Sequence, residues 1–323
     1  MRSRLGSVAA FVLLGAALAF PLVFTLPYPR DVMIRIFLYA MLATAWNVLA
    51  GYCGQISLGH AVFFGTGAYT STLLFQQDWL GVWASPWVGM ALGALLAALL
   101  SQIIGYPVFR LRGHYFAIAT IAVGEIVQTI VINWDAVGGA RGLFVPIKRP
   151  DSLANFQFHE SKQTYYYIAL ALLVLAIGIS RGIVRSRTGY YFRAIREDQD
   201  AAAALGIPVA RYKQRAMAIS AALTALGGTF YAQYVFFIDP ESVLPLSLSI
   251  LVCLVAVLGG VGTLWGPILG SAILVPLGEV TRVQFGGTGK ALDLVIYGLL
   301  IMIVSVVQPG GIMALLQRGS RRS

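Results

Sequence analysis

The sequence is short of charge, cysteine and histidine, and each shortage removes a class of protein. Charged residues make up 11% of the 323-residue chain, against roughly 25% in a soluble domain, so an ordinary water-soluble globule is excluded. Cys53 and Cys253 lie far apart beside or within apolar segments and read as small buried hydrophobes, with no disulfide or metal framework. His60, His114 and His159 have no ligand spacing, and the chain contains no GxxxxGKS or GxxxxGKT phosphate loop, no HExxH and no GxSxG. A membrane-embedded enzyme would have nowhere to do its chemistry. Any work driven by ATP requires the ATPase on another chain.

What is present is apolar sequence, 58% hydrophobic with a mean hydropathy of +0.79. A helix needs about 20 apolar residues to cross the bilayer core. Candidate spans fall near residues 6–26, 32–50, 57–76, 85–108, 114–133, 165–184, 214–237, 247–258, 263–281 and 291–307. The expected fold is an all-α polytopic membrane protein of about ten transmembrane helices, forming one domain over residues 1–323. Two spans stand apart: 247–258 is short enough to be re-entrant or broken, and 57–76 is too glycine-rich for a regular helix. The first span begins with basic residues and contains Ala17-Leu18-Ala19, as a secretory signal does. Its apolar run continues past that tripeptide, which favours a retained helix.

The net charge of +10 is explained by orientation rather than by nucleic acid. With the N-terminus inside, Arg2, Arg4, Arg110, Arg112, the eight basic residues of 181–215, and Arg318, Arg321 and Arg322 share one side, 15 of the 23. The positive-inside rule then gives N-in, C-in, with loop 134–164 outside and loop 185–213 in the cytosol. Within the inner loop, Arg193 to Ala204 has good helix formers, Gly206 is placed to end the helix left-handed, and Pro208 prevents continuation. The weakly apolar alanine face suits a groove on another protein, and a solvated connector helix is the bland alternative. The outer loop is either a docking surface or a plain connector.

Polar residues in apolar spans tend to line cavities or pathways. The candidates are Asn47, Gln55, Ser57 and His60, then Glu125, Gln128 and Asn133; Glu125 and Gln128 share a helix face. The alternative for these is a hydrogen-bonded cluster that holds the bundle together. Glu279 and Arg282, three apart, read as a local ion pair. Glycines at 51, 54, 59, 65 and 67 permit an interrupted helix where backbone lines a cavity. A second glycine-rich stretch, 259–274, sits in the other half of the chain, as in repeat-built transporters. Gly89 with Gly93, and Gly266 with Gly270, have the spacing of close helix packing.

Four blocks, "AWNVLAGYCGQISLGHAVFFGTGAY" (45–69), "GHYFAIATIAVGEIVQTIVINWDAVGGARGL" (113–143), "YYFRAIREDQDAAAALGIPVARYK" (190–213) and "GGVGTLWGPILGS" (259–271), resemble the LivH/LivM permease subunits of branched-chain amino-acid ABC transporters, and the second block leans towards LivM. The resemblance implies a multi-pass subunit of the bacterial inner membrane. Its implied partners are a LivH-like permease, two cytosolic ABC ATPases, a periplasmic amino-acid-binding protein and the lipid bilayer. No cofactor is implied for this chain; ATP and magnesium belong to the ATPases. Arg193, Arg196, Glu197, Asp198, Ala201, Ala202 and Gly206 fall on the ATPase-coupling element, although "DQDAAAALG" lacks the glutamate of the importer signature. In this frame Phe63, Phe64, Tyr69 and Phe116 would supply an apolar wall for a branched side chain, with Asn47, Gln55, Ser57, His60, Glu125 and Gln128 providing polarity. The competing class is a self-sufficient channel or ion-coupled carrier for a small polar solute such as urea or an amide.

Overall fold

The core is organised by a helix whose second half is apolar on every side, and such a stretch must be surrounded by other helices. In the computed structural model this is α2, Pro27–Asn47, which continues as a wider π-turn over Val48–Tyr52; every residue from Ala40 to Cys53 is buried. The structure describes residues 14–24, 26–77, 85–147, 151–158, 161–285, 295, 298–299 and 311–314. Most of the span expected near 291–307, and Arg2, Arg4, His159, Arg318, Arg321 and Arg322, lie outside the described residues.

α6 (Gln163–Arg185), α9 (Val209–Val235), α11 (Leu246–Gly259) and α12 (Gly266–Phe285) pack on α2; α3 (His60–Gln77) and α4 (Pro86–Val108) pack on α9 and on each other, and α1 (Leu14–Val23) and α5 (His114–Ile132) complete the bundle. Local chemistry sets many of the ends. Pro27 opens α2, and Pro86 opens α4 behind Ser85, whose Oγ accepts from the Trp87 N–H. α9 stops at Phe236, which takes a left-handed φ of 63°. At 14 residues α11 is about 21 Å long, short of a bilayer core of about 30 Å; the short α10 (Pro240–Val243), with its Asp239/Ser242 capping box, precedes it.

Small residues allow the innermost crossings. Gly89 and Gly93 lie against Ser71 and Gly67 of α3, and Gly270 lies against Val255 of α11, so both glycine pairs sit at close crossings. α5 is the peripheral helix. Only Phe116 and Thr120 of it are buried, while Ile118, Ile126 and Ile130 are exposed.

The two ends of the bundle differ. At one end, residues 53–59, 109–113, 260–265 and the segment between α6 and α9 come together. At the other, β1 (Leu143–Phe144) pairs antiparallel with β2 (Phe237–Ile238), and Lys162 bridges to Asp31 at 2.8 Å. The 134–164 connection is thus tied to the segment that follows α9.

Two expectations change, and a third gains a partner. The single helix over Arg193–Ala204 is two, α7 (Arg187–Glu197) and α8 (Gln199–Ala204), because the Asp198 carboxylate accepts from the N–H groups of Asp200 and Ala201 and starts a new helix. The span at 57–76 becomes helical only at His60. Glu279 is bonded by Arg35 of α2; the expected partner Arg282 has its side chain outside the described ones.

Candidate translocation and coupling site

The segment between α6 and α9 builds a projecting corner. α8 buries Ala202 at 2% exposure and turns Ala201, Ala203, Ala204 and Leu205 outward, with Leu205 82% exposed. Gly206 has a φ of +81°, a left-handed residue that ends the helix, and the Ile207 N–H returns to the Ala202 carbonyl at 3.1 Å. The corner is tethered: Arg112 donates to Asp200 at 2.9 Å, and Lys213 Nζ to Gln199 Oε1 at 2.7 Å. Backbone N–H groups of Ala201, then Asp200, hold the Asp198 carboxyl below its usual range. Glu197 is exposed, whereas Arg193 folds back, with Nη2 donating to the Val184 carbonyl at 3.1 Å and its guanidinium over the Tyr190 ring.

Arg196, on the last turn of α7, is exposed overall but lays its guanidinium on the end of the π-turn. Its Nη1 donates to the Gly51 carbonyl at 2.7 Å. Beside it, Asn47 Oδ1 accepts from the Gly262 N–H at 2.8 Å and Asn47 Nδ2 donates to the Thr263 carbonyl at 2.9 Å. The two glycine-rich stretches therefore meet, and the close approach requires glycine: a Cβ on Gly51 would lie 2.7 Å from the Gly262 nitrogen.

Further along the interruption the polar residues face inward. Trp46 Nε1 donates to the Ser57 carbonyl at 2.7 Å; His60 Nδ1 meets Ser57 Oγ at 3.2 Å and Nε2 meets Ser220 Oγ at 2.8 Å; Ser220 donates to the Ala45 carbonyl at 2.6 Å. Gln55 Nε2 donates to the Cys53 carbonyl at 3.2 Å. Asn47, Gln55, Ser57, His60, Phe63, Phe64, Tyr69 and Phe116 are all buried. The polar members form a cross-braced interior, the arrangement a bundle-holding cluster would have.

Glu125 lies elsewhere. It is exposed on α5 and lines a groove with Gly59, Ile121, Leu244, Leu246 and Ser249. Gln128 reaches the Pro240 carbonyl at 3.4 Å, and Asn133, also exposed, donates back to the Thr129 carbonyl at 2.8 Å. Thr120 Oγ1 accepts from the Leu58 N–H at 2.9 Å, fixing α5 across the interrupted segment. Sequence reasoning missed Ser220, Thr120 and Leu205. The first two are small hydroxyls in helices without a telling spacing, but Leu205, an isolated large apolar residue before a helix-ending glycine, carried a readable signal.

Basic residues follow the same polarity. Among the described residues, Arg110, Arg112 and the basic residues of 181–215 gather towards the corner end, with only Glu197, Asp198 and Asp200 as acids nearby.

The chain matches the family described as "Branched-chain amino acid transport system / permease component" over residues 28–305. It is 30% identical over 304 residues to the high-affinity branched-chain amino acid transport system permease protein LivM of Salmonella typhimurium, covering 88% of this chain and 69% of that protein; the Escherichia coli LivM gives the same figures. The LivH protein of Salmonella typhimurium is 26% identical over 294 residues, 85% of this chain and 91% of that protein. No solved structure matches. An apolar helical bundle with an interrupted inner helix, matched along most of its length by these proteins, belongs to the branched-chain amino acid transport permease family.

Proposed function

We propose that the chain is the LivM-like half of a permease pair in an ABC importer of the bacterial inner membrane, carrying branched-chain aliphatic amino acids inward by alternating access. The observation that carries this reading is the α7–α8 corner: small, weakly apolar, firmly tethered, and crowned by Leu205 at 82% exposure. It sits at the basic end, which the positive-inside rule assigns to the cytosol. A simple channel has no use for such a projection. A cytosolic ATPase does, since a packed helix in its groove passes on each closure of the nucleotide-bound dimer.

The solute path forms on the Glu125 face of α5, against a LivH-like partner, when the narrow crevice beside Glu125 opens. Ile121, Leu244 and Leu246 offer an apolar wall for a branched side chain, and Glu125 a counter-charge for the ammonium group. Asn47, Gln55, Ser57, His60, Phe63 and Phe64 stand behind that face and fix its position; Gln128 orients α5. Arg193, Glu197, Asp198, Ala201, Ala202 and Gly206 shape the coupling corner. A periplasmic binding protein delivers the amino acid at the opposite end, and ATP with magnesium is bound by the two ATPase subunits.

The decisive experiment is purification of the tagged chain from its native membrane in mild detergent, followed by reconstitution with the co-purifying subunits. A second permease and a P-loop ATPase are expected, with ATP-dependent leucine uptake. Recovery of the chain alone, with flux that needs no ATP, would refute the reading in favour of a channel or carrier.

A further inference from the structure

Arg196 is an exposed residue of the corner whose guanidinium nevertheless reaches back to the end of the π-turn. Its guanidinium lies against Gly51 and Gly262, one glycine from each interruption, and the base of its side chain lies against Gly54. Nη1 reaches the Gly51 carbonyl at 2.7 Å; a Cβ on Gly262 would collide with Nη1; and a Cβ on Gly54 would come within 3.1 Å of the Arg196 Cα. Gly51 lies in the last turn before the chain leaves helix, where carbonyls lack amide partners and the dipole favours a cation. The planar guanidinium carries several donors in a fixed fork, which suits it to such carbonyls. Asn47, one turn earlier, joins the same backbone to Gly262 and Thr263. Arg196 is also two residues from Asp198, the hinge between α7 and α8.

We infer that Arg196 is a positioning residue that latches the cytosolic corner onto both glycine-rich interruptions, so that displacement of the corner withdraws the guanidinium and frees the inner end of α2 from the α11–α12 turn. The inference rests on the importer reading for its driving force. It departs from the sequence expectation that Arg196 contacts an ATPase. In the latch, the residue faces away from the docking surface and transmits its movement.

A native reporter is in place. Cys53, the residue after the π-turn, is fully buried and free, and C253A removes the other thiol. The test is N-ethylmaleimide labelling of Cys53 in the complete complex in proteoliposomes, with and without Mg-ATP, read by mass spectrometry alongside leucine uptake. In the parent complex, labelling should change with nucleotide. In R196A it should be about tenfold faster without nucleotide, as expected for loss of one charge-assisted bond, and should no longer respond to ATP. R196K, which keeps charge without the planar fork, should fall between. G262A leaves the arginine intact but fills the place of its Nη1, and should reproduce the fast labelling. Parent-like labelling in R196A or in G262A, or a retained nucleotide response in R196A, would overturn the latch. Absence of ATP-driven leucine uptake in the parent complex would instead overturn the importer reading, while the nucleotide-free comparison would still decide whether Arg196 holds the interruption closed.

Discussion

Replacing Ser220 by alanine probes the interior that holds the interruption in shape. The Ser220 hydroxyl has one proton, which goes to the Ala45 carbonyl at 2.6 Å; its oxygen must therefore accept from His60 Nε2–H at 2.8 Å. That assigns the tautomer and leaves His60 Nδ1 to accept from Ser57 at 3.2 Å. Alanine at 220 removes a donor and an acceptor together. The Ala45 carbonyl keeps the Val48 N–H, so only the imidazole N–H is left bare. A buried bare donor costs about 1–3 kcal/mol. Two effects reduce this: polar groups of a membrane chain find partners when unfolded, so such bonds average about 0.6 kcal/mol, and the ring can shift its proton to Nδ1 and donate to Ser57. The expected loss is about 1–2 kcal/mol. The assay is reversible unfolding in mixed micelles by added dodecyl sulfate, followed by tryptophan fluorescence; buried Trp46, bonded to the Ser57 carbonyl, lies beside the site. Ser57→Ala removes the donor to an imidazole acceptor and the acceptor of a long bond from the Gly59 N–H at 3.4 Å, both weaker than the 2.8 Å contact at Ser220, and should cost less. A loss below about 0.5 kcal/mol, the size of a neutral surface change, or equal losses for the two variants, would refute the assigned chain of donors.

Leu205→Glu should lower ATP-driven uptake at least about tenfold with normal membrane insertion; full uptake would remove Leu205 from the docking surface. Gly206→Val forces a β-branched residue to a φ of +81°, and should destabilise the corner by about 1–2 kcal/mol, seen as faster amide exchange through α8. For Asp198, the folded pKa is depressed, so its stabilising contribution is present above the unfolded carboxylate pKa and is lost as pH falls through the folded value. Exchange at the Asp200 and Ala201 amides should stay pH-insensitive apart from its intrinsic chemistry down to mild acid, quicken in Asp198→Ala, and remain slow in Asp198→Asn, which can still cap. Asn47→Asp keeps the acceptor for Gly262 but turns the donor to Thr263 into a second acceptor; a loss of about 3 kcal/mol or more is expected for a buried, mispaired carboxylate, and a neutral result would dissolve the proposed brace.

The spans were largely legible because hydropathy reports what must leave water, and α4, α5 and α6 lie close to the apolar runs that announced them. The interrupted third span was legible too, since glycines with Gln55 and Ser57 make a poor helix. Contacts between distant residues were not. Spacing suggested Arg282 for Glu279, but its described partner Arg35 is 244 residues away, and nothing local reveals such a pairing. Asp198 hid within an alanine-rich helix pattern, although an aspartate two residues before another acid is itself a readable helix start. For the candidate site, residue type announced polarity, but direction depended on packing: His60 faces Ser220 inside, while Glu125 faces out. Arg196 shows the same limit, since a charged residue in the segment between α6 and α9 gives no sign that its guanidinium bonds the Gly51 carbonyl 145 residues earlier.

The Asn47 brace also has a consequence for biogenesis. Its backbone partner, Gly262, lies 215 residues later in the chain. At roughly 5–20 residues per second of synthesis, the amide stays without that partner for about 10–40 seconds while the intervening helices are made and inserted. During that interval the growing polypeptide carries an unclamped polar break, which the insertion machinery or a chaperone must tolerate. Ribosomal stalling before the codon for Thr263 would therefore leave a nascent bundle open to membrane quality-control proteolysis, and release past that point would be the step at which the break becomes protected.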